Sequence, residues 1–178
     1  MSGFCNSSSA RMQTTSSQTL GDVLTALSSD HISPGSGTAA AAAMAFAAAC
    51  AAKALAVSRK HRAADEVALA AQTQLHQIIT RSLERADVDS ARFQDFLHHK
   101  DQQSARELIA ADEETQALAA EISVVLDRIE PGVHPVVAGD ILAARALLEA
   151  ATRIQTRICE ENRQHQPHGG GNGDGGDR

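Results

Sequence analysis

Residues 33–62 read SPGSGTAAAAAMAFAAACAAKALAVSRKHR, and positions 39–56 within them hold 13 alanines. Alanine is the strongest helix former, because it loses no side-chain entropy on ordering. One helix over about 36–58 is therefore expected. Small side chains on every face let neighbouring backbones approach closely, so this helix is expected at the centre of a bundle. A membrane span is the competing reading. Alanine is only weakly apolar and Lys53 interrupts the run, so a tightly packed soluble helix is expected instead, with no membrane partner. Pro34, Gly35 and Gly37 punctuate the chain ahead of the helix. Arg59, Lys60, His61 and Arg62 close it with cations suited to the negative end of its dipole.

Working outward, Leu20, Val23, Leu24 and Leu27 recur at i, i+3, i+4 and i+7, one face of a helix over 19–30. Val67, Ala71, Leu75, Ile78 and Ile79 mark a third helix over 64–86, and Phe93, Phe96 and Leu97 a fourth near 88–100. Residues 101–111 offer another short helix. Leu118, Ile122, Val125, Leu126 and Ile129 form the next stripe, ending at Pro131-Gly132. Val137, Ile141, Ala144, Leu148, Ala151 and Ile158 predict a last helix over 136–162. With no Trp, no Tyr and four Phe, the chain lacks the residues that strands prefer. The expectation is an all-α, single-domain bundle of five to seven antiparallel helices.

The ends are read differently. Residues 1–17 are rich in Ser, Thr and Gln, and the tail over 164–178 runs into HGGGNGDGGDR. Such composition loses more chain entropy than burial returns, so both are expected to be disordered around a domain over 18–163. A net charge of −6 and the shortage of aromatic platforms argue against nucleic-acid binding. Cys5, Cys50 and Cys159 form no CxxC pair, and no charged-then-apolar leader is visible, so a reducing cytoplasm is the expected compartment.

The turn Ser33-Pro34-Gly35-Ser36-Gly37-Thr38 bears most directly on function. A Gly-rich turn at a helix N-terminus exposes unpaired N–H groups beside the positive dipole end, and no side chains block a ligand. It equally suits an ordinary helix start capped by Ser36 or Thr38. Here the order of features resembles the cyclodeaminase domain of formiminotransferase-cyclodeaminase and the methenyltetrahydrofolate cyclohydrolases. Members begin with a short amphipathic helix, then a Pro-Gly-Gly-Gly-Ser-like turn, then an Ala-rich helix ending in basic residues. Leu20-Gly21-Asp22-Val23-Leu24, Pro34-Gly35-Ser36-Gly37-Thr38 and Arg59-Lys60 follow that order. Asp89-Ser90-Ala91-Arg92-Phe93 matches the family's Asp-x-x-x-Phe element. Val136-Val137-Ala138-Gly139-Asp140 and Asn162 match its C-terminal pattern. Ser36 replaces the middle glycine, and Ile154 and Ile158 stand where Gly and Asn are usual.

The resemblance implies a homodimeric enzyme acting on a C–N bond of a one-carbon tetrahydrofolate. The reaction is hydrolysis of a 5,10-methenyl bridge, or closure of a formimino group with loss of ammonia. The folate derivative is the substrate, and neither a metal nor another cofactor is implied. Asp89 is the first candidate for a proton-moving or cation-stabilising carboxylate; a first-turn helix cap is the alternative. Asp140 is a candidate to orient the ligand, or else a cap on the last helix. His134 is a candidate for proton transfer, or a loop histidine without a role. Pro34, Gly35, Ser36, Gly37 and Asn162 are expected to line the substrate cleft. Arg59 and Lys60 either hold the acidic tail of a folate or form a solvated helix end. Two rivals stand beside this function. One is a repurposed enzyme on the same scaffold that hydrolyses or cyclises an imine or iminium of a non-folate substrate. The other is a non-catalytic helical dimer.

Overall fold

The computed structural model describes residues 14–61 and 66–164. The expectations for residues 1–13 and 165–178 lie outside the described residues. Five α-helices carry the fold: α1 (Leu20–Leu27), α2 (Ser36–Arg59), α3 (Glu66–His99), α4 (Gln102–Ile129) and α5 (Ala138–Gln164). No strand occurs among the described residues, as expected for an all-α chain. Residues 15–17, expected to be disordered, instead form a short 3-10 turn, and the Thr15 backbone N–H donates to Asp87 at 2.7 Å.

Local chemistry explains where each helix starts and stops. Thr19 and Asp22 form a reciprocal capping box at the start of α1. The helix stops at Leu27, short of the expected residue 30, where the Ser28 and Ser29 hydroxyls bond the carbonyls of Thr25 and Ala26. The two helices expected over 64–86 and 88–100 are one 34-residue helix, α3. The charged run Glu84-Arg85-Ala86-Asp87 interrupts the apolar stripe, but no Gly or Pro lies between 66 and 100, so nothing breaks the backbone. Residues 101–111 likewise continue into α4. The α3–α4 turn needs only Lys100, in the left-handed region at φ 52°, and Asp101, whose carboxylate accepts the Ser104 N–H at 2.8 Å.

α2 to α5 run antiparallel in a square. α2 packs on α3 and α5, α4 packs on the same two from the other side, and α2 faces α4 across the diagonal. Met44 of α2, Leu75 and Ile78 of α3, and Leu118, Ile122 and Leu126 of α4 are fully buried between them. Ala40, Ala47, Ala48, Ala51 and Ala54 are wholly enclosed, so the alanine run does bring two neighbouring helices close. The helix is not surrounded on every side, because Phe46, Ala49, Lys53 and Ala56 face outward. It is long and apolar enough by composition to cross a membrane, and 56% of its most apolar window is buried inside the bundle.

Close packing along α2 predicts an asymmetry that urea denaturation measures. Ala51→Leu overfills an enclosed site and is expected to cost about 1–3 kcal/mol. Ala56→Leu, on the outward face, is expected to change the stability of the single chain, measured in the Phe46→Glu background, by no more than about 0.5 kcal/mol.

Candidate active site

α2 begins without a cap of its own. Gly35 occupies the N-cap position and contributes no side-chain bond. Neither Ser36 nor Thr38 caps the helix locally: Ser36 is its first residue, and the Thr38 hydroxyl turns to Ser90 at 3.0 Å and the Ala86 carbonyl at 3.4 Å. The Asp89 carboxylate of α3 lies against this helix start, close enough to Thr38 for its N–H and hydroxyl to favour the ionised form. Asp89 thus sits inside α3 rather than at its first turn, facing the N-terminus of a neighbouring helix.

That contact requires glycine at 37. A Cβ built there would overlap the Asp89 carboxylate. Gly37 has no left-handed φ among the described residues, so its role is close approach and not backbone freedom.

Asp89 faces a cleft of about 180 Å³ lined by Ile32, Gly35, Ser36, Gly37, Phe93, Leu108, Ile158, Glu161 and Asn162, among others. Burial pushes its pKa up to about 6, with the Asp112 charge adding to the rise and the Thr38 bonds opposing it. Near neutrality the group exchanges its proton readily, a property suited to general acid–base work. An open groove of about 460 Å³ adjoins the cleft, sharing Ser36, Ile158 and Glu161 and continuing along α5 to Arg153 and Arg157.

Of the residues singled out in the sequence, Gly35, Ser36, Gly37, Asp89 and Asn162 meet at this cleft. Pro34 sits in the same turn, after a cis Ser33–Pro34 peptide. Asp140, His134, Arg59 and Lys60 do not join them. They lie toward the other end of α2, about 25–35 Å away at 1.5 Å per residue. There Asp140 pairs with Lys53 at 3.0 Å in the first turn of α5. The His134 ring stacks on His61 with centroids 4.4 Å apart, and its Nδ1 accepts the Val136 N–H at 3.3 Å. Arg59 occupies the last turn of α2, where a cation complements the dipole, and Lys60 caps it.

Asp112 was missed. It is 3% exposed, and its carboxylate accepts from the Gln155 amide at 3.1 Å and the Asn162 amide at 2.8 Å. Burial raises its pKa, against the pull of those two bonds. In sequence it opens the acidic run Asp112-Glu113-Glu114, which reads as a solvated face. The helical period places it differently, in line with Leu108, Ile109, Thr115, Leu118 and Ala119, all buried. Gln155 likewise follows Leu148 and Ala151 on the buried stripe of α5. A polar residue in register with an apolar stripe was the available signal.

Gly37→Ala is expected to retain or raise helix content by circular dichroism, since alanine favours a helix by about 1 kcal/mol over glycine. The same change displaces the Asp89 carboxylate from Thr38. Its titration, followed by carbon-13 NMR of labelled aspartate, is expected to move, and an unchanged curve would contradict the packing described.

The comparisons with known proteins bear on the family of the chain. No curated protein matches the chain. The family model for formiminotransferase-cyclodeaminase matches residues 19–165, a span that takes in all five α-helices and every residue of the cleft. The chain therefore belongs to the formiminotransferase-cyclodeaminase family, a family of folate one-carbon metabolism.

Proposed function

We propose that the protein is a cyclohydrolase/cyclodeaminase-type enzyme acting on a C–N bond of a one-carbon tetrahydrofolate. The observation that carries this reading is a carboxylate, Asp89, held in a cleft against the N-terminus of α2, where burial pushes its pKa up to about 6. In methenyl hydrolysis, water adds to the carbon between two nitrogens and loses a proton to ionised Asp89. The protonated carboxyl returns it to the departing ring nitrogen as the C–N bond breaks, and the hydroxyl of the intermediate releases its remaining proton to solvent as the formyl carbonyl forms. The ionised carboxylate also opposes the positive charge of the substrate carbon before attack. In formimino closure the same group moves a proton from the attacking nitrogen to the leaving ammonia. Either role asks about 10²–10⁴-fold of the carboxylate.

One observation favours the repurposed enzyme as a second reading. The cleft of about 180 Å³ is smaller than the ~300–1,000 Å³ usual for a small-molecule site, and Ile158 and Ser36 narrow it. A compact imine or iminium would fit without the adjoining groove, whereas a folate needs both.

The proposed homodimer draws support from apolar surface that the single chain leaves uncovered. Phe46 on α2 is 46% exposed, and Leu20 and Leu24 on α1 are 56% and 57% exposed. A two-fold axis crossing α2 near Phe46 would set the Gly35 end of one protomer beside the Arg59 end of its partner. That arrangement would bring Arg59, Lys60, His134 and Asp140 toward the Asp89 cleft of the other copy. Phe46→Glu is expected to shift the protein to monomer by sedimentation, and a wild type already monomeric at micromolar concentration would remove the shared site.

Loss of 5,10-methenyltetrahydrofolate absorbance tests the activity, with Asp89→Asn expected to lower the rate at least about 10²-fold. No acceleration by wild type over buffer would reject the folate reading. Stability should move the opposite way. Asp89 has a folded pKa above its unfolded value, so its contribution is full below about pH 4 and is lost as pH rises through about 6. Asp89→Asn keeps an acceptor for Thr38 and removes that loss. Above pH 7 its thermal midpoint is expected to exceed that of wild type, by up to about 2 kcal/mol in stability, an advantage that vanishes near pH 4.

A further inference from the structure

We propose that Asp112 is the positioning residue of the cleft, fixing the Asn162 side chain so that its carbonyl oxygen is presented to the ligand. The inference rests on the proposed activity only for its kinetic arm. A carboxylate only accepts hydrogen bonds, so the groups facing Asp112 must be the amide nitrogens of Gln155 and Asn162, as found at 3.1 and 2.8 Å. With one N–H of that amide held toward Asp112, the amide oxygen is turned away from the carboxylate and left for a molecule in the cleft that Asn162 lines. Gln155 is 1% exposed and serves as the second anchor of the carboxylate.

Packing alone does not account for Asp112. Burying a carboxylate against neutral amides is costly, and an apolar side chain of similar size would remove that cost. No cation bonds to it among the described residues. Arg163 on α5 acts on it at a distance and is itself paired to Glu113 at 2.9 Å. Glu113 on its own helix, Cys159 on α5 and Asp89 on α3 complete the titratable groups around it. Asp89 and the Asn162 carbonyl then place acceptors in the cleft, beside a Glu161 paired with Arg157 at 2.7 Å, which suits a ligand bearing N–H groups. The same carboxylate adds, after burial, to the rise in the Asp89 pKa, so one residue bears on both the ligand contact and the proton affinity of Asp89.

The test compares wild type with Asp112→Asn, Asn162→Ala and the double variant. An asparagine at 112 turns a donor toward one of two amides and releases the other. In Asp112→Asn the Asn162 side-chain amide protons are expected to exchange faster by nitrogen-15 NMR, and the Asp89 titration to move to lower pH. In turnover of 5,10-methenyltetrahydrofolate, kcat/KM is expected to fall about 10–100-fold in each single variant. The acid limb is expected to move down only in the variants lacking Asp112. The double variant is expected to be no slower than the slower single one, since both remove one contact. Unchanged amide exchange together with an unchanged Asp89 titration would overturn the proposal. If wild type shows no folate turnover, the NMR arms still decide it. If Asp112→Asn does not fold, Asn162→Ala decides instead: an unchanged kcat/KM in that variant would overturn the proposal.

Discussion

The start of α2 has no side-chain cap at Gly35, and the Asp89 carboxylate of α3 is set against it. Everything near the cleft depends on that contact. It requires Gly37, because any side chain there would occupy the space of the carboxylate. It also fixes the relative height of two antiparallel helices, since Thr38 meets Ala86, Asp89 and Ser90 within one turn of α3. The positive end of the α2 dipole and the carboxylate favour one another, while burial and Asp112 oppose ionisation. The balance leaves Asp89 able to hold or release a proton near neutrality.

The two ends of the bundle differ in character. The end carrying Gly35 and Asp89 is acidic and recessed, with Asp112 buried behind Asn162. The end carrying Arg59 and Lys60 holds Asp140 in an ion pair with Lys53 and His134 in a stack with His61, contacts that seat the turn before α5. Surface ion pairs elsewhere, Arg81–Glu121 and Arg145–Glu130 among them, tie α3 to α4 and α4 to the start of α5. They contribute little individually, but they fix which faces meet.

Much of the fold could be read directly from the residues. Alanine content located α2 to within a residue or two, and the i, i+3, i+4 pattern located α1. What period and composition do not report is continuity. α3 was divided because its apolar stripe lapses over Glu84–Asp87, yet a helix needs a Gly, a Pro or a competing cap to end, and none occurs there. The cleft was legible where a backbone feature marked it, at Gly35 and Gly37, and where a motif spacing marked it, at Asp89 and Asn162. Asp112 went unseen because its two acidic neighbours suggest a solvated run, although its helical register is that of a core position. Asp140 was a candidate at the cleft through the family resemblance, with Arg59, Lys60 and His134 as further candidates, and a 24-residue helix separates the two ends.

A carboxylate lent across the bundle to a helix start has a consequence for how the history of this chain should be read. Asp89 serves the architecture whether or not any chemistry is done at it, since Gly35 gives the first turn of α2 no side-chain acceptor of its own. A descendant that lost its substrate would still be selected to keep an oxygen at that position and nothing larger than hydrogen at Gly37. Persistence of the pair in relatives is therefore a record of folding, and only the groups with no architectural duty can date the gain or loss of a reaction.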